Sequence, residues 1–270
     1  MIDYPLQEHW TRIGDGASAE VWALNEQRVL KLFHAQVNDV PIALEYEAGL
    51  WAEAQQIPIA RPVGRVLFGD RSGILFERAD GPNMLSIIVK RPVAMWRLVK
   101  RLARLHVRIH RAPGGAVLPR QIDVLRHRIS GSVASQQARA LALAQVEQLP
   151  QANQLVHGDY HPANLLLASR GPVVIDWAQA TRGVPAADVA RTELLLRFGG
   201  RQQDHASALA GVITSWWYRR CYAEYSGLSN AEIDAWRLPV AVAWQRGQLG
   251  KAQRPVAQWI ERLTVQAVTA

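Results

Sequence analysis

The first part of the chain alternates apolar and polar residues with the two-residue period of β-strands. Runs with this period cover residues 20–24, 28–33, 63–68 and 73–76. Between the two pairs of runs, Asn38 or Asp39 caps a helix that ends shortly before Pro58. The pattern therefore predicts an N-terminal lobe made of an antiparallel sheet and one helix.

After Glu77–Pro82, which breaks the strand pattern, the period changes to that of amphipathic helices. Apolar residues recur at helical spacing within residues 93–110, 125–149, 203–225 and 230–248. We therefore expect an α+β protein with two lobes, a sheet lobe at residues 1–79 and a larger, mostly helical lobe at residues 80–270.

A short hairpin in residues 155–178 interrupts the helical region. The apolar runs Leu165–Leu167 and Val173–Ile175 flank a linker that contains the turn formers Gly171 and Pro172. If Leu167 pairs with Val173, then Asn164 lies opposite Asp176. Directly opposed residues on neighbouring strands are about 4.5 to 5.5 Å apart, and an amide oxygen with a carboxylate suits Mg²⁺. Asp159 precedes Asn164 by five positions. A carboxylate at this position is suited to deprotonate a hydroxyl beside the metal.

The residues His157-Gly158-Asp159 through Asn164, followed by Ile175-Asp176-Trp177, resemble the catalytic loop and metal-binding turn of the aminoglycoside phosphotransferase and choline kinase family. These are small-molecule kinases with a protein-kinase-like fold. The resemblance implies ATP and Mg²⁺ as cofactors, Asn164 and Asp176 as metal ligands, Asp159 as catalytic base, and a small-molecule hydroxyl as acceptor.

The N-terminal lobe supplies matching parts for a nucleotide. Lys31 is central in an apolar strand, where an unpaired ammonium is costly. The next helix has one apolar face that includes Glu47 but leaves Glu45 off it, so Glu47 is the expected partner of Lys31. That face comprises Leu44, Glu47, Leu50, Trp51 and Ala54. The small residues Gly14, Gly16 and Ser18 suit a loop over phosphates, and the resemblance places adenine recognition at Glu77, Arg78 and Ala79.

Composition limits the remaining possibilities. The net charge of +8 could suit nucleic acid, but the arginines are scattered and no compact basic run with interleaved aromatics occurs, so no nucleic-acid partner is expected. Cys221 is the single cysteine, and neither a signal peptide nor an apolar run long enough for a membrane span is visible. We therefore expect a cytoplasmic protein that does not bind membranes. The sequence does not indicate its oligomeric state.

Several alternatives remain at this stage. His157, Asp159 and His161 alternate and would project from one side of an extended segment, as in a zinc metallohydrolase, although Pro162 disfavours a long strand there. A catalytically silent nucleotide-binding regulator and an aminoglycoside-modifying resistance kinase are further alternatives. The excess of Arg and Lys over Asp and Glu after residue 189 favours a less cationic acceptor.

Three other polar residues have plainer interpretations. His106 and His110 are four residues apart on a packing face, which is typical of hydrogen-bonded core histidines rather than metal ligands. Asp188 precedes an Ala- and Leu-rich run. In the family that this chain resembles, an Asp at this place supports the catalytic loop, but we prefer a role for Asp188 at the start of the helix, which needs no analogy.

Overall fold

The computed structural model describes residues 2–3, 10–199, 205–245 and 253–269. The chain forms two compact units. We call residues 1–87 together with 162–180 the sheet unit, and residues 88–161 together with 181–270 the helical unit. This division differs from a single boundary after residue 79, because the central hairpin returns to the sheet unit.

The elements up to residue 156 are, in chain order, β1 (Ile2–Asp3), β2 (Thr11–Asp15), β3 (Ala19–Ala23), β4 (Arg28–Phe33), α1 (Asp39–Ala54), β5 (Pro62–Phe68), β6 (Arg71–Glu77), α2 (Met84–Lys90), α3 (Met95–Arg111), α4 (Gln121–Ser130), α5 (Gln136–Gln148) and β7 (Gln154–Val156). They are followed by β8 (Leu165–Ala168), β9 (Gly171–Val174), β10 (Thr181–Gly183), α6 (Pro185–Phe198), α7 (His205–Ser226), α8 (Asn230–Ala235), α9 (Arg237–Trp244) and α10 (Gln253–Thr269). One-turn 3₁₀ helices lie at Pro92–Ala94 and Pro162–Asn164.

The sheet unit contains a six-stranded sheet in the order β1-β5-β6-β4-β3-β2. All neighbouring strands are antiparallel except β1, which runs parallel to β5. Strand β4 is central, and its residues Leu30 and Leu32 are buried. The predicted sheet lobe with one long helix is therefore confirmed, and the centre of its sheet carries Lys31.

Helix α1 begins where the sequence predicts, because the Asn38 side chain accepts a hydrogen bond from the Val40 N–H at 3.2 Å. Its buried face was predicted wrongly. The buried residues are Ile42, Glu45, Ala48, Gly49 and Ala52. A Cβ at Gly49 would lie 3.0 Å from Pro62 Cγ, so the small residues are what allow this face to pack closely. The larger Leu44, Leu50 and Trp51 remain half-buried.

The central hairpin is present, but its register is one residue off the prediction. Leu165 pairs with Val174 and Leu167 with Pro172, because the turn contains only two residues between Ala168 and Gly171. Gly171 has a φ of +120°, which a residue with a side chain rarely adopts. The hairpin bonds to the sheet unit through Val174 N–H to Pro58 O at 2.8 Å and Leu167 N–H to Pro82 O at 2.9 Å.

The helical unit packs around α3, α6 and α7, with Leu102, Tyr160, Tyr218 and Tyr222 among its most buried side chains. The helical stretch predicted at residues 125–149 is two helices, α4 and α5, separated near Gly131. The ends of two further predictions, residues 203–204 and 246–248, lie outside the described residues. None of the helices in the described ranges has the length and apolar character that crossing a bilayer requires.

Candidate active site

In the sheet unit, one ammonium group is held by two carboxylates. Lys31 Nζ lies 2.7 and 2.9 Å from the two oxygens of Glu45 and 2.9 Å from Asp176 Oδ1. Burial alone would lower the pKa of Lys31, but the negative charges of Glu45 and Asp176 outweigh it and raise that pKa. The lysine is therefore a fixed positive charge at the centre of the sheet.

The prediction that Glu47 pairs with Lys31 is wrong. Glu47 is exposed, whereas the Glu45 side chain is only 2% exposed and makes the ion pair. The cause is the orientation of α1, which turns its small residues, rather than its large apolar ones, toward the sheet. Burial raises the pKa of Glu45, and the charge of Lys31 opposes that rise. A buried carboxylate that touches the lysine thus holds it in place.

Asp176 follows β9 in an unusual backbone conformation. Its φ is +64°, in the left-handed region that aspartate tolerates better than most residues. Its side chain is 40% exposed, while the next residue, Trp177, is buried. Strain of this kind is concentrated at functional sites in proteins. The Asp176 carboxylate is therefore accessible, although its neighbour in the sequence is buried.

Asn164 is tied to the same turn through its backbone. The Ile175 N–H donates to Asn164 O at 3.0 Å, so Asn164 lies beside the residue that precedes Asp176. The predicted side-by-side register of Asn164 and Asp176 is replaced by this offset of one residue. An amide oxygen and a carboxylate are the hard oxygen ligands that Mg²⁺ prefers, so the residues present fit that ion.

The loop predicted to cover phosphates connects β2 and β3. Gly16 N–H donates to Ala19 O at 2.9 Å and closes the turn, and the residues from Asp15 to Ser18 are exposed. Ser18 O accepts the His34 N–H at 2.9 Å. A Cβ at Gly14 would lie 3.3 Å from Val21 Cβ, so this glycine also relieves packing between the two strands.

The segment predicted to recognise adenine begins at the end of β6. Glu77 N–H donates to Arg61 O at 2.8 Å and Arg78 N–H donates to Gln27 O at 2.9 Å. Both groups are thus used inside the sheet unit. Ala79 N–H makes no backbone hydrogen bond to any described residue, which leaves it as the available donor in this segment.

In the helical unit, Asp159 follows β7 in the stretch His157-Gly158-Asp159. Its oxygens lie 3.6 Å from His161 Nε2 and 3.9 Å from Arg191 Nη2. Burial alone would raise the pKa of Asp159, but the hydrogen bond and charge of His161 and the charge of Arg191 outweigh it and lower that pKa. Asp159 is therefore a carboxylate kept ionised at neutral pH.

Arg191 is a candidate functional residue that the sequence pattern does not indicate. Its Nε donates to Gly158 O at 3.3 Å, and its guanidinium lies 5.2 Å from the centre of the Trp244 ring. Burial lowers its pKa to about 10, so it stays charged at neutral pH. Arg191 thus contacts both the backbone and the side chain of the Gly158-Asp159 pair.

Asp188 holds the backbone of the same loop. It lies in the first turn of α6, as predicted, but it does not cap that helix. The N-cap residue of α6 is Val184, which makes no side-chain cap. The buried Asp188 carboxylate instead accepts the His157 N–H at 2.8 Å and the Gly158 N–H at 2.9 Å. Gly158 has a φ of +75°, and the two hydrogen bonds fix that turn.

The two histidines of α3 complete the Asp188 network. Their Nε2 atoms lie 3.1 Å (His106) and 3.2 Å (His110) from Asp188 Oδ2, and their Nδ1 atoms bond to Tyr218 and Tyr222 hydroxyls at 2.5 and 2.7 Å. Burial and the charge of His110 lower the pKa of His106 to about 3. Burial alone would raise the pKa of Asp188, but the hydrogen bonds from both histidines hold it well below its usual range.

This network confirms that His106 and His110 are hydrogen-bonded core residues. With Asp188 they are also close enough to share a cation, but both ring nitrogens of each histidine already have protein partners. The metallohydrolase alternative finds no support, because His157, Asp159 and His161 do not form a comparable ligand group among the described residues. The Asp159 N–H instead lies 3.3 Å from His157 Nδ1.

Two features are those of small-molecule kinases with a protein-kinase-like fold. The sheet carries a central lysine–glutamate pair, and the mostly helical unit holds an ionised aspartate in a fixed loop. The family model for the phosphotransferase enzyme family matches residues 9–225, well over half of the chain. The chain belongs to this family. A comparison with curated proteins found no significant match.

Solved structures support the same fold at low sequence identity. An amicoumacin kinase in complex with AMP-PNP and Ca²⁺ has a TM-score of 0.64 and 13% identity over 98% of this chain and 90% of its own. An aminoglycoside-3'-phosphotransferase of type VIII has a TM-score of 0.61 and 17% identity over 86% of this chain and 92% of its own. A choline/ethanolamine kinase family protein from Mesorhizobium loti has a TM-score of 0.62 and 11% identity over 96% of this chain and 92% of its own.

Proposed function

We propose that the protein transfers the γ-phosphoryl group of ATP to a hydroxyl of a small molecule, with Mg²⁺ held by Asn164 and Asp176. The observation that carries this proposal is the Lys31 ammonium fixed between buried Glu45 and accessible Asp176. In kinases such a lysine binds the α- and β-phosphates, and the aspartate beside it is a metal ligand. When bound, Mg²⁺ neutralises charge that develops on the phosphate oxygens.

The nucleotide is bound by groups of the sheet unit in this proposal. Lys31 binds the phosphates, the loop of Gly14, Gly16 and Ser18 contributes backbone N–H groups above them, and the Ala79 N–H hydrogen-bonds adenine. Glu45 acts through Lys31 by fixing its position. Glu47 has no role, since it is exposed and makes no contact with the lysine.

Asp159 is the proposed general base. Its carboxylate accepts the proton of the acceptor hydroxyl while that oxygen forms a bond to the γ-phosphorus and the bond from phosphorus to the β–γ bridging oxygen breaks. The products are ADP and a phosphate monoester, and Asp159 then releases its proton to solvent. Arg191 and His161 keep the carboxylate ionised between turnovers.

The acceptor is proposed to be a neutral or weakly charged hydroxyl compound rather than a polycationic aminoglycoside. Two basic groups flank Asp159. Of the acidic residues on α6 and α8, Glu193 pairs with Arg237, and Asp234 lies 2.6 Å from Arg219 and 2.8 Å from Arg237. These carboxylates are therefore already neutralised, whereas a polycation would need free ones.

The first experiment is a screen that follows ADP release from Mg·ATP with amino alcohols, sugars, vitamin precursors and aminoglycosides. We expect turnover with a neutral or singly charged alcohol. With that acceptor, replacing Asp159 by Asn should lower kcat by roughly 10² to 10⁴, the usual contribution of a general base. Calorimetry should give unchanged nucleotide affinity for this variant.

The matched control is Asp123→Asn, which changes an exposed carboxylate on α4 and should leave kcat unaltered. Unchanged kcat in the Asp159 variant would remove Asp159 from its role. Mg·ATP binding without transfer to any acceptor in the screen would contradict the proposed activity and favour a silent nucleotide-binding protein.

A further inference from the structure

The helical unit contains a cavity of about 600 Å³ that the proposed reaction does not use. It lies among the end of α3, residues 149–154, the start of α6, the end of α7 and α8. Much of its wall is apolar and includes Val107, Pro150, Pro185, Leu228, Ala235 and Trp236. No residue that we assign to the nucleotide, the metal or proton transfer is among its lining residues. Small-molecule sites in proteins commonly have volumes of roughly 300 to 1,000 Å³ and apolar walls with a few polar groups.

Two charged side chains, Arg111 and Glu232, line the cavity, and both are exposed. Arg111, in the last turn of α3, lines it and makes no ion pair or side-chain hydrogen bond to any residue that the structure describes. The other charged lining residue is Glu232. Its carboxylate accepts the N–H and hydroxyl of Ser229 at 2.8 and 2.7 Å, so it already stabilises the start of its own helix. The cavity therefore offers a guanidinium that has no ion-pair partner among the described residues beside an apolar wall, together with the ionised Glu232 carboxylate, whose Oε2 is held by Ser229.

We propose that this cavity binds a compact apolar carboxylic acid, whose hydrocarbon part contacts Trp236 and its apolar neighbours and whose carboxylate pairs with Arg111. The ligand class follows from the size, the apolar wall and the single unpaired guanidinium, which binds a carboxylate through two parallel hydrogen bonds.

The cavity is connected to the loop of Asp159 by hydrogen bonds. His110 and Tyr222 form part of its wall, and the Tyr222 hydroxyl lies 2.7 Å from His110 Nδ1. His110 Nε2 lies 3.2 Å from Asp188 Oδ2, and Asp188 accepts the backbone N–H groups of His157 and Gly158. A ligand that immobilises the cavity wall should therefore reduce local opening of this loop. Neither the site nor this connection rests on the proposed function.

The binding test uses 4-phenylbutyrate and its neutral amide as probes, measured by calorimetry on the full chain. We expect the acid to bind about twofold to fivefold more tightly than the amide, because an ion pair with an exposed guanidinium contributes up to about 1 kcal/mol and the amide cannot form it. Arg111→Gln should abolish this preference, whereas Arg101→Gln, an exposed change on the same helix that does not line the cavity, should preserve it. Ala231→Trp, at an exposed position on the wall, should prevent binding of both probes.

Binding of neither probe, equal affinity for acid and amide, or binding that Ala231→Trp leaves intact would each overturn the site.

The connection is tested by amide hydrogen exchange of a peptide covering residues 154–160. Saturating 4-phenylbutyrate should slow this exchange in the wild type but not in Tyr222→Phe, which removes only the hydroxyl. Equal slowing in both proteins, or none in the wild type, would overturn the connection. Neither measurement depends on phosphoryl transfer, so its failure is distinct from failure of the kinase proposal.

Discussion

Asp176 and Asp188 are the same residue type, twelve positions apart in the sequence, and their surroundings are opposite. The Asp176 side chain is 40% exposed and bonds to Lys31, whereas the Asp188 side chain has no exposed surface and accepts four hydrogen bonds from the helical unit. A carboxylate whose acceptor capacity is filled by protein donors holds the structure together. A carboxylate with accessible oxygens is available to a ligand. The comparison predicts loss of stability in one case and loss of ligand binding in the other.

The largest expected effect is on stability and comes from Asp188→Ala. The change leaves the His157 and Gly158 N–H groups and two histidine N–H groups buried without an acceptor. A buried donor left without its acceptor typically costs about 1 to 3 kcal/mol in the free energy of unfolding, and four donors are affected. Urea unfolding at neutral pH measures this loss, with Asp123→Ala as the exposed control. A loss no greater than that of the control would contradict the role given to Asp188.

The second prediction separates the two glutamates of α1. Glu45→Gln removes the buried partner of Lys31, and because hydrogen bonds between charged groups contribute about 1.5 to 3 kcal/mol, nucleotide affinity should fall about tenfold or more. Glu47→Gln changes an exposed residue and should leave the affinity unaltered. Calorimetry with Mg·AMP-PNP measures both. The opposite ranking would restore the interpretation based on sequence spacing.

The smallest expected effect concerns the pH profile and Arg191. The guanidinium favours the ionised form of Asp159 and helps to lower its pKa, so Arg191→Met should raise that pKa. The base must be ionised to accept a proton. The fall of kcat/KM on acidification should therefore begin at a higher pH in Arg191→Met than in the wild type. Arg191→Lys keeps the charge and should retain the wild-type acidic limb. Identical acidic limbs in all three proteins would remove Arg191 from this role.

Much of this organisation can be predicted from sequence, and the failures have specific causes. The periods of the apolar residues identify the sheet, α1 and the long helices, and the residues around Asp159 and Asp176 identify the family. The pairing of Lys31 was misassigned because the large apolar residues of α1 suggested one face, whereas Ala48, Gly49 and Ala52 allow closer packing on another.

Asp188 was misassigned for a different reason, because a role at the helix start was preferred to the loop-supporting role that the resemblance implies. Its position near the start of α6 is typical of a residue that stabilises a helix terminus, and its actual donors come from β7 and α3, far away in the sequence. Likewise, nothing local to Arg191 indicates that it contacts Gly158 and Asp159. Contacts between distant elements depend on packing, which a single sequence does not specify.

The central claim is that Asp176 binds a ligand, whereas Asp188 stabilises the fold. It is tested most directly by calorimetry of AMP-PNP binding with Mg²⁺ and with EDTA, in the wild type, Asp176→Asn and Asp188→Asn. We predict that Mg²⁺ strengthens binding in the wild type and in folded Asp188→Asn, but not in Asp176→Asn. An undiminished Mg²⁺ effect in Asp176→Asn would contradict the account.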